Sequence, residues 1–178
     1  MIAAAITKGD LYIDNVQPRH LLSLSEKLSQ MGTKITHTSM GIRVNCSKRT
    51  RAIGKIETQP YPGFPTDAGP LLVASLIKAK GTSVFTENIF ENRFNYIGEL
   101  RRLGADIKVF GKVAVIEGVD YLRSAYLSCT DLRGGAAAAI ALLGSDGVGV
   151  LDNISHIERG YENFEGVLSG VSAKIVKE

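Results

Sequence analysis

The sequence predicts an α/β (α+β) fold assembled from repeated βαβαββ units, and three observations predict it. First, one segment grammar occurs three times: Gly9-Asp10-Leu11-Tyr12-Ile13-Asp14-Asn15-Val16, Gly81-Thr82-Ser83-Val84-Phe85-Thr86-Glu87-Asn88-Ile89 and Gly147-Val148-Gly149-Val150-Leu151-Asp152-Asn153-Ile154. Each is a glycine, a short β-rich strand, an acid-asparagine pair and a β-branched residue, and such self-similarity marks a repeat architecture. Second, a helical pattern follows each strand, with apolar residues three and four apart on one face. Third, the tail of another helix precedes each strand.

In chain order, the first unit opens on eight residues, of which Ala3-Ala4-Ala5-Ile6 read like Ala138-Ala139-Ile140-Ala141, late in an Ala-rich helix. After its strand, Leu21, Leu24 and Leu28 mark a helix that ends at Gly32, where a left-handed cap favours glycine. Strands follow at 33–36 and 42–46. The second unit has a strand at 52–58, a helix at 67–80 and the repeated strand. Next come a helix marked by Phe94, Ile97 and Leu100 and capped at Gly104, and strands at 105–110 and 113–117. The third has a helix at 131–145, expected to be buried on most sides, and the repeated strand. It then has a helix marked by Phe164, Val167 and Leu168, Ser172 at the cap and a strand at 173–176. The expected organisation is a single body: a partial unit at 1–49, a complete unit at 50–120, and a unit lacking its last strand at 121–178. The repeat is therefore expected to be entered partway and left early, truncated at its N-terminus. The alternative is a natural start at Met1 with a degenerate first unit.

Composition excludes several classes. The chain has 178 residues, 44% hydrophobic and 22% charged, which suits a globular domain with a real core. Twenty-one basic and 18 acidic residues leave a net charge of +3, too balanced to argue for nucleic acid. The basic cluster Lys48, Arg49 and Arg51 reads as a solvated loop. Cys46 and Cys129 stand in no metal-ligand spacing, so two reduced thiols in a cytoplasmic protein are expected. Apolar runs such as 135–143 fall far short of the ~20 residues of a membrane span.

Three stretches break local rules, which is where function concentrates. In Tyr61-Pro62-Gly63-Phe64-Pro65-Thr66-Asp67 a stiff loop delivers Thr66 and Asp67 to a helix start. Either residue serves as an N-cap, or the loop aims the Asp67 carboxylate at a ligand. In Thr130-Asp131-Leu132-Arg133-Gly134-Gly135, Asp131 is a good N-cap. Arg133 then sits in the first turn, where the helix dipole disfavours a cation. An anion held there by free backbone N–H groups and the guanidinium would account for it, with Gly134 and Gly135 permitting close approach. The alternative is an arginine folded out to solvent. In His156-Ile157-Glu158-Arg159-Gly160-Tyr161-Glu162, Arg159 occupies the junction that Arg93 occupies in Phe90-Glu91-Asn92-Arg93-Phe94. Surface charge and ligand binding both remain open for this pair.

The stretches at 61–67, 90–94, 130–133 and 156–162, in that chain order, resemble the C-terminal lobe of the UDP-N-acetylglucosamine 1-carboxyvinyltransferase family, the enolpyruvyl transferases of peptidoglycan synthesis. Ala3-Ala4-Ala5-Ile6-Thr7-Lys8-Gly9 and Leu100-Arg101-Arg102-Leu103-Gly104-Ala105-Asp106-Ile107 fit as well, so the resemblance covers essentially the whole chain. It implies an inside-out α/β barrel lobe of βαβαββ units about a pseudo-threefold axis, with substrates held between two lobes. It implies transfer of enolpyruvyl from phosphoenolpyruvate to the 3-hydroxyl of UDP-N-acetylglucosamine, by addition to a tetrahedral intermediate and elimination of phosphate. By resemblance Asp67 is the general base at the sugar hydroxyl, and Arg133 and Arg159 hold the phosphate and carboxylate of phosphoenolpyruvate. Asp131 orients groups beside them, Ile89 contacts the UDP-sugar through its backbone with Phe90 nearby, and Glu91 and Arg93 support the cleft. No cofactor and no metal are implied.

Departures matter as much. The family's reactive Pro-Gly-Gly-Cys-type loop and its N-terminal Lys-Asn pair are absent from this sequence, and Ala68-Gly69-Pro70 stands where members carry Met or Leu followed by Gln. The chain is thus expected to supply part of a composite site, to need the other lobe as partner, to be inactive alone, and to self-associate through exposed edges. The competing readings are a stand-alone anion- or protein-binding module and one half of a split enzyme. The shikimate-pathway enolpyruvyl transferases share the fold, but their motifs match less well.

Overall fold

The computed structural model describes residues 1–177. The first unit runs α1 (Ile2–Thr7), β1 (Asp10–Asp14), α2 (Leu22–Gln30), β2 (Lys34–His37) and β3 (Gly41–Asn45). The second runs β4 (Lys55–Glu57), α3 (Gly69–Leu76), β5 (Thr82–Thr86), α4 (Ile97–Arg102), β6 (Asp106–Phe110) and β7 (Val113–Glu117). The third runs β8 (Tyr126–Ser128), α5 (Leu132–Leu143), β9 (Val150–Asp152), α6 (Ser155–Glu158) and α7 (Phe164–Ser169).

Each unit has its own sheet. β3 lies between β1 and β2, antiparallel to both. β7 lies likewise between β5 and β6, and β4 adds in parallel on the far side of β5. β8 and β9 form a parallel pair. Asp14 faces Gly41 and Thr86 faces Val113, so the two larger sheets correspond residue for residue when counted from Gly9 and Gly81.

The helix ends repeat too. Thr33, Ala105 and Ala173 each donate their N–H five residues back, to the carbonyls of Leu28, Leu100 and Leu168, at 3.0, 3.3 and 3.1 Å. Gly32, Gly104 and Ser172 carry the positive φ this closure needs, at 94°, 92° and 71°. Ser172 adopts it without the freedom of glycine.

α1, α3 and α5 pack pairwise on one another and form the centre. Leu72, Val73, Ala74 and Leu76 of α3 and Ala136, Ala137, Ala138 and Ala141 of α5 are almost wholly shielded from solvent. α5 is helical where Asp131 caps it and buried from Gly134 to Ala141, as its alanine run predicts. Pro70 sits within the first turn of α3, where its missing N–H costs nothing. No helix among the described residues is long and apolar enough to cross a membrane.

Three expectations change. The strand at 173–176 does not form: a strand needs a ladder partner, and none stands beside this segment among the described residues. The apolar stripe of α7 is only half covered, with Val167 61% exposed. The basic loop is not merely solvated. Arg49 Nε donates to the Lys78 carbonyl at 2.8 Å and its Nη2 to that of Val119 at 3.1 Å, while Asp120 pairs with the guanidinium. Arg51 Nε donates to the Gln30 carbonyl at 2.9 Å. These arginines satisfy carbonyls at the ends of elements, at the C-terminus of α2, just past α3 and just past β7.

Cys46 and Cys129 are free and buried. Burial pushes the Cys129 thiol up to about 11, and the nearby Asp152, Asp131 and Glu99 carboxylates add to the effect. A thiol of the unfolded chain ionises near pH 8.5. The unfolded state therefore loses its proton first, and stability falls as pH rises from about 8.5 toward about 11. At pH 8, alkylation of Cys129 in the native chain should run roughly a hundredfold slower than in urea, read by mass spectrometry; rapid native labelling would contradict this. Leu72→Ala should cost about 2–5 kcal/mol, read as a lower urea midpoint at unchanged slope.

Candidate functional site

The loop before α3 is pinned at several points. Phe64 is buried with its ring edge-on to Phe85 at 6.5 Å, and the Phe64 carbonyl accepts the Gln59 N–H at 2.9 Å. The Tyr61–Pro62 peptide is cis. A single 3-10 turn over Thr66–Ala68 then leads into α3. Neither Thr66 nor Asp67 caps that helix through its side chain. Asp67 instead accepts from two guanidinia: Arg93 Nη2 reaches Oδ1 at 3.0 Å and Arg133 Nη2 reaches Oδ2 at 2.7 Å. Of the two readings open at this residue, the N-cap is the one that fails.

The two arginines arrive by different routes. Arg93 lies in the loop after β5, its guanidinium 5.2 Å from the Phe90 ring centroid in a cation–π contact. Its Nε is buried without a partner. Arg133 is the second residue of α5. Asp131 Oδ1 accepts its backbone N–H at 2.9 Å and that of Gly134 at 3.0 Å. Two N–H groups of the helix terminus are therefore capped from within and taken from any ligand. The anion that offsets the first-turn cation is Asp67, and this hydrogen bond holds the Arg133 proton more firmly than usual. Gly134 and Gly135 likewise serve packing. A Cβ at Gly134 would stand 2.4 Å from Thr130 Oγ1, and one at Gly135 would stand 2.8 Å from Cys129 Sγ.

These groups border an open cavity of about 270 Å³. Phe90, Glu91, Asn92, Arg93, Asn95, Asp131, Leu132, Arg133 and Arg159 line it. Arg159 follows α6, and among the described residues it makes no ion pair. Tyr161, whose hydroxyl burial makes harder to ionise, lies within electrostatic reach of Arg133 and Asp67. Of the residues singled out from the sequence, Phe90, Glu91, Arg93, Asp131, Arg133 and Arg159 thus share one wall system. Asp67 joins through its two ion pairs. Ile89 is not a lining residue, and its N–H is taken by Glu87 Oε1 at 2.8 Å, so a ligand contact through its backbone falls to the carbonyl.

Sequence reasoning overlooked Glu87, a carboxyl group with 1% exposure that ties the Asp67 turn to the loop after β5. The available signal was its spacing, one residue further from Gly81 than Asp14 and Asp152 are from Gly9 and Gly147. Chemically, the arrangement offers convergent guanidinia for a small polyanion and an adjacent carboxylate able to accept a hydroxyl proton. Among the described residues no group of three His, Cys, Asp or Glu side chains is placed to hold a metal ion.

Comparison with known proteins bears on this geometry. The family model described as EPSP synthase (3-phosphoshikimate 1-carboxyvinyltransferase) matches residues 1–168. UDP-N-acetylglucosamine 1-carboxyvinyltransferase 2 of Caldanaerobacter subterraneus subsp. tengcongensis is 48% identical over 177 residues, 99% of this chain and 42% of that protein. UDP-N-acetylglucosamine 1-carboxyvinyltransferase of Desulfofundulus thermocisternus is 47% identical over 175 residues, 98% of this chain and 72% of that protein. The chain thus spans less than half the length of several relatives it matches. Among solved structures, the enolpyruvyl transferase NikO from Streptomyces tendae aligns with a TM-score of 0.85 at 24% identity, over 97% of this chain and 41% of that one. EPSP synthase from Acinetobacter baumannii aligns at 0.76 and 18%, over 96% of this chain and 43% of that one. These last two likenesses establish the mixed α/β fold alone. Identity close to one half along nearly the entire sequence, on that fold, settles the lineage: the chain belongs to the enolpyruvyl (carboxyvinyl) transferase family and is a homologue of the UDP-N-acetylglucosamine 1-carboxyvinyltransferases.

Proposed function

We propose that this chain is one lobe, of three βαβαββ-type units about a pseudo-threefold axis, of a cytoplasmic enzyme of peptidoglycan synthesis. The enzyme transfers enolpyruvyl from phosphoenolpyruvate to the 3-hydroxyl of UDP-N-acetylglucosamine and releases phosphate, the first committed step of that synthesis. The observation that carries the reading is the meeting of Asp67, Arg93 and Arg133 from two separate units beside a cavity that Arg159 also lines.

The roles follow from charge and reach. Arg133 and Arg159 hold the phosphate and carboxylate of phosphoenolpyruvate, with Arg93 and Asp131 keeping the wall in place. Each oxygen of Asp67 accepts one hydrogen bond from an arginine and has capacity for another. Asp67 removes the proton of the sugar 3-hydroxyl as its oxygen attacks C2 of phosphoenolpyruvate. C3 gains a proton in the same addition, supplied by a group outside this chain. Elimination then expels phosphate and takes a proton back from C3, restoring the double bond. Negative charge grows at the phosphate as it leaves, where the guanidinia stabilise it most. Ile89 and Phe90 meet the UDP-sugar. The reaction as proposed calls on no cofactor and no metal.

The second reading is an anion- or protein-binding module, or one half of a split enzyme. It is favoured by the absence of a Pro-Gly-Gly-Cys-type motif from the sequence and by the span of less than half of several relatives. The open edge of β9 and the exposed Val148, at 92%, offer a seat for the other lobe or a second copy.

The 178-residue chain mixed with phosphoenolpyruvate and UDP-N-acetylglucosamine should release no phosphate above the blank; turnover would mean that the catalytic groups lie elsewhere. Inorganic phosphate should bind weakly near Arg133. Arg133→Ala should weaken that binding by about tenfold in a calorimetric or NMR titration, whereas Lys48→Ala leaves it unchanged.

A further inference from the structure

The second unit breaks its own repeat at one residue. Asp14 and Asp152 stand five residues after Gly9 and Gly147, whereas Glu87 stands six after Gly81. Side chains alternate along a strand, so one added residue reverses the face on which the acid emerges. Asp14 and Asp152 emerge exposed. Each accepts the N–H of the asparagine that follows it, at 2.8 and 2.7 Å, and Asp152 adds only the exposed Tyr126 hydroxyl. Glu87 continues the buried face of Ser83 and Phe85.

There it gathers four donors from three pieces of chain. Its Oε1 accepts from Thr58 Oγ1 at 2.8 Å, from the Ile89 N–H at 2.8 Å and from the Phe90 N–H at 3.2 Å. Its Oε2 accepts from Thr66 Oγ1 at 2.8 Å. Thr66 precedes Asp67, and Phe90 carries the ring beneath the Arg93 guanidinium. The only one of the three repeated acids to turn inward is thus in the unit that carries Asp67.

We infer that Glu87 is the positioning residue of this site. It fixes the separation between the turn bearing Asp67 and the loop bearing Ile89, Phe90 and Arg93. The inference rests on the enolpyruvyl transferase reading and deepens it: a sugar ligand pressing on the 89–90 loop is linked through one carboxyl group to the base that must meet its hydroxyl. Neither Asp14 nor Asp152 can do this from the outer face.

The test is NMR on the full chain, comparing wild type with Thr66→Val, Glu87→Gln, Glu87→Ala and the control Asp152→Ala. Thr66→Val cuts only the link to the turn. It should shift the Asp67 amide and Arg93 side-chain signals, leave amide exchange at Ile89 and Phe90 unchanged, and raise the Kd for inorganic phosphate about threefold. Glu87→Ala should speed exchange at Ile89 and Phe90 about tenfold. Glu87→Gln keeps an acceptor oxygen and should restore most of that protection. Asp152→Ala should change none of these. Folded Thr66→Val and Glu87→Gln chains with wild-type signals at Asp67 and Arg93 would overturn the inference, whether or not Glu87→Ala folds. A wild-type chain whose Arg93 and Arg133 signals ignore phosphate would instead overturn the functional reading, and the signals of the variants alone would then decide the role of Glu87.

Discussion

The packing of α3 against α5 is the constraint on which the rest of the molecule depends. Asp67 and Arg133 are 66 residues apart, and nothing local brings them together. They meet because each stands at the start of one of two central helices laid side by side. That close approach requires small residues. α5 presents alanines to α3, while at the start of α3 Gly69 leaves room for the Phe85 ring of β5, which a Cβ would approach to 2.8 Å. Core and site are therefore one problem in this protein: the apolar burial that stabilises the chain also sets a carboxylate–guanidinium distance.

Charge completes what packing begins. Three guanidinia border one cavity, an arrangement that would repel itself without anions between them. Asp67 answers two of them directly, and Asp131 closes the helix terminus beside the second. The pairs are partly exposed, so solvent screens them and their net contribution to stability is small. Their effect is orientation. Arg93 is further held by the Phe90 ring, which favours a flat approach of the guanidinium and leaves its outer edge to the cavity.

Much of this was legible before any coordinates. The glycine-strand-acid grammar marked β1, β5 and β9, and the cap positions marked Gly32, Gly104 and even Ser172, because helix ends and strands are set by short stretches of chain. Asp131 was legible as a cap for the same reason. Asp67 was not, because its alternatives differ only in a contact made across the core. The sequence offers Gly134 and Gly135 as room for a ligand; they are room for the adjacent Cys129 and Thr130 and for Tyr96 and Ile157, which arrive from elsewhere in the chain. The segment at 173–176 has strand composition, yet pairing depends on a neighbour that composition does not reveal. The three arginines each stood out locally, Arg133 as a cation in a first helical turn and Arg93 and Arg159 at matching repeat junctions, but their roles came only through family resemblance, since nothing local shows that they share one cavity.

Arg159 stands apart from the other members of the set. Arg133 stands on the buried helix α5 and Arg93 is held by Asp67 and the Phe90 ring, whereas Arg159 follows a single helical turn, α6, in which only Ile157 is buried. The helix beyond it buries no residue fully. Segments with so little buried surface open at low free-energy cost. The cavity is therefore a clamp with one fixed jaw and one compliant jaw. Ligands would be sorted at the fixed jaw by geometry and accommodated at the other by adjustment, which gives this scaffold a natural place to change what it accepts without remaking its core.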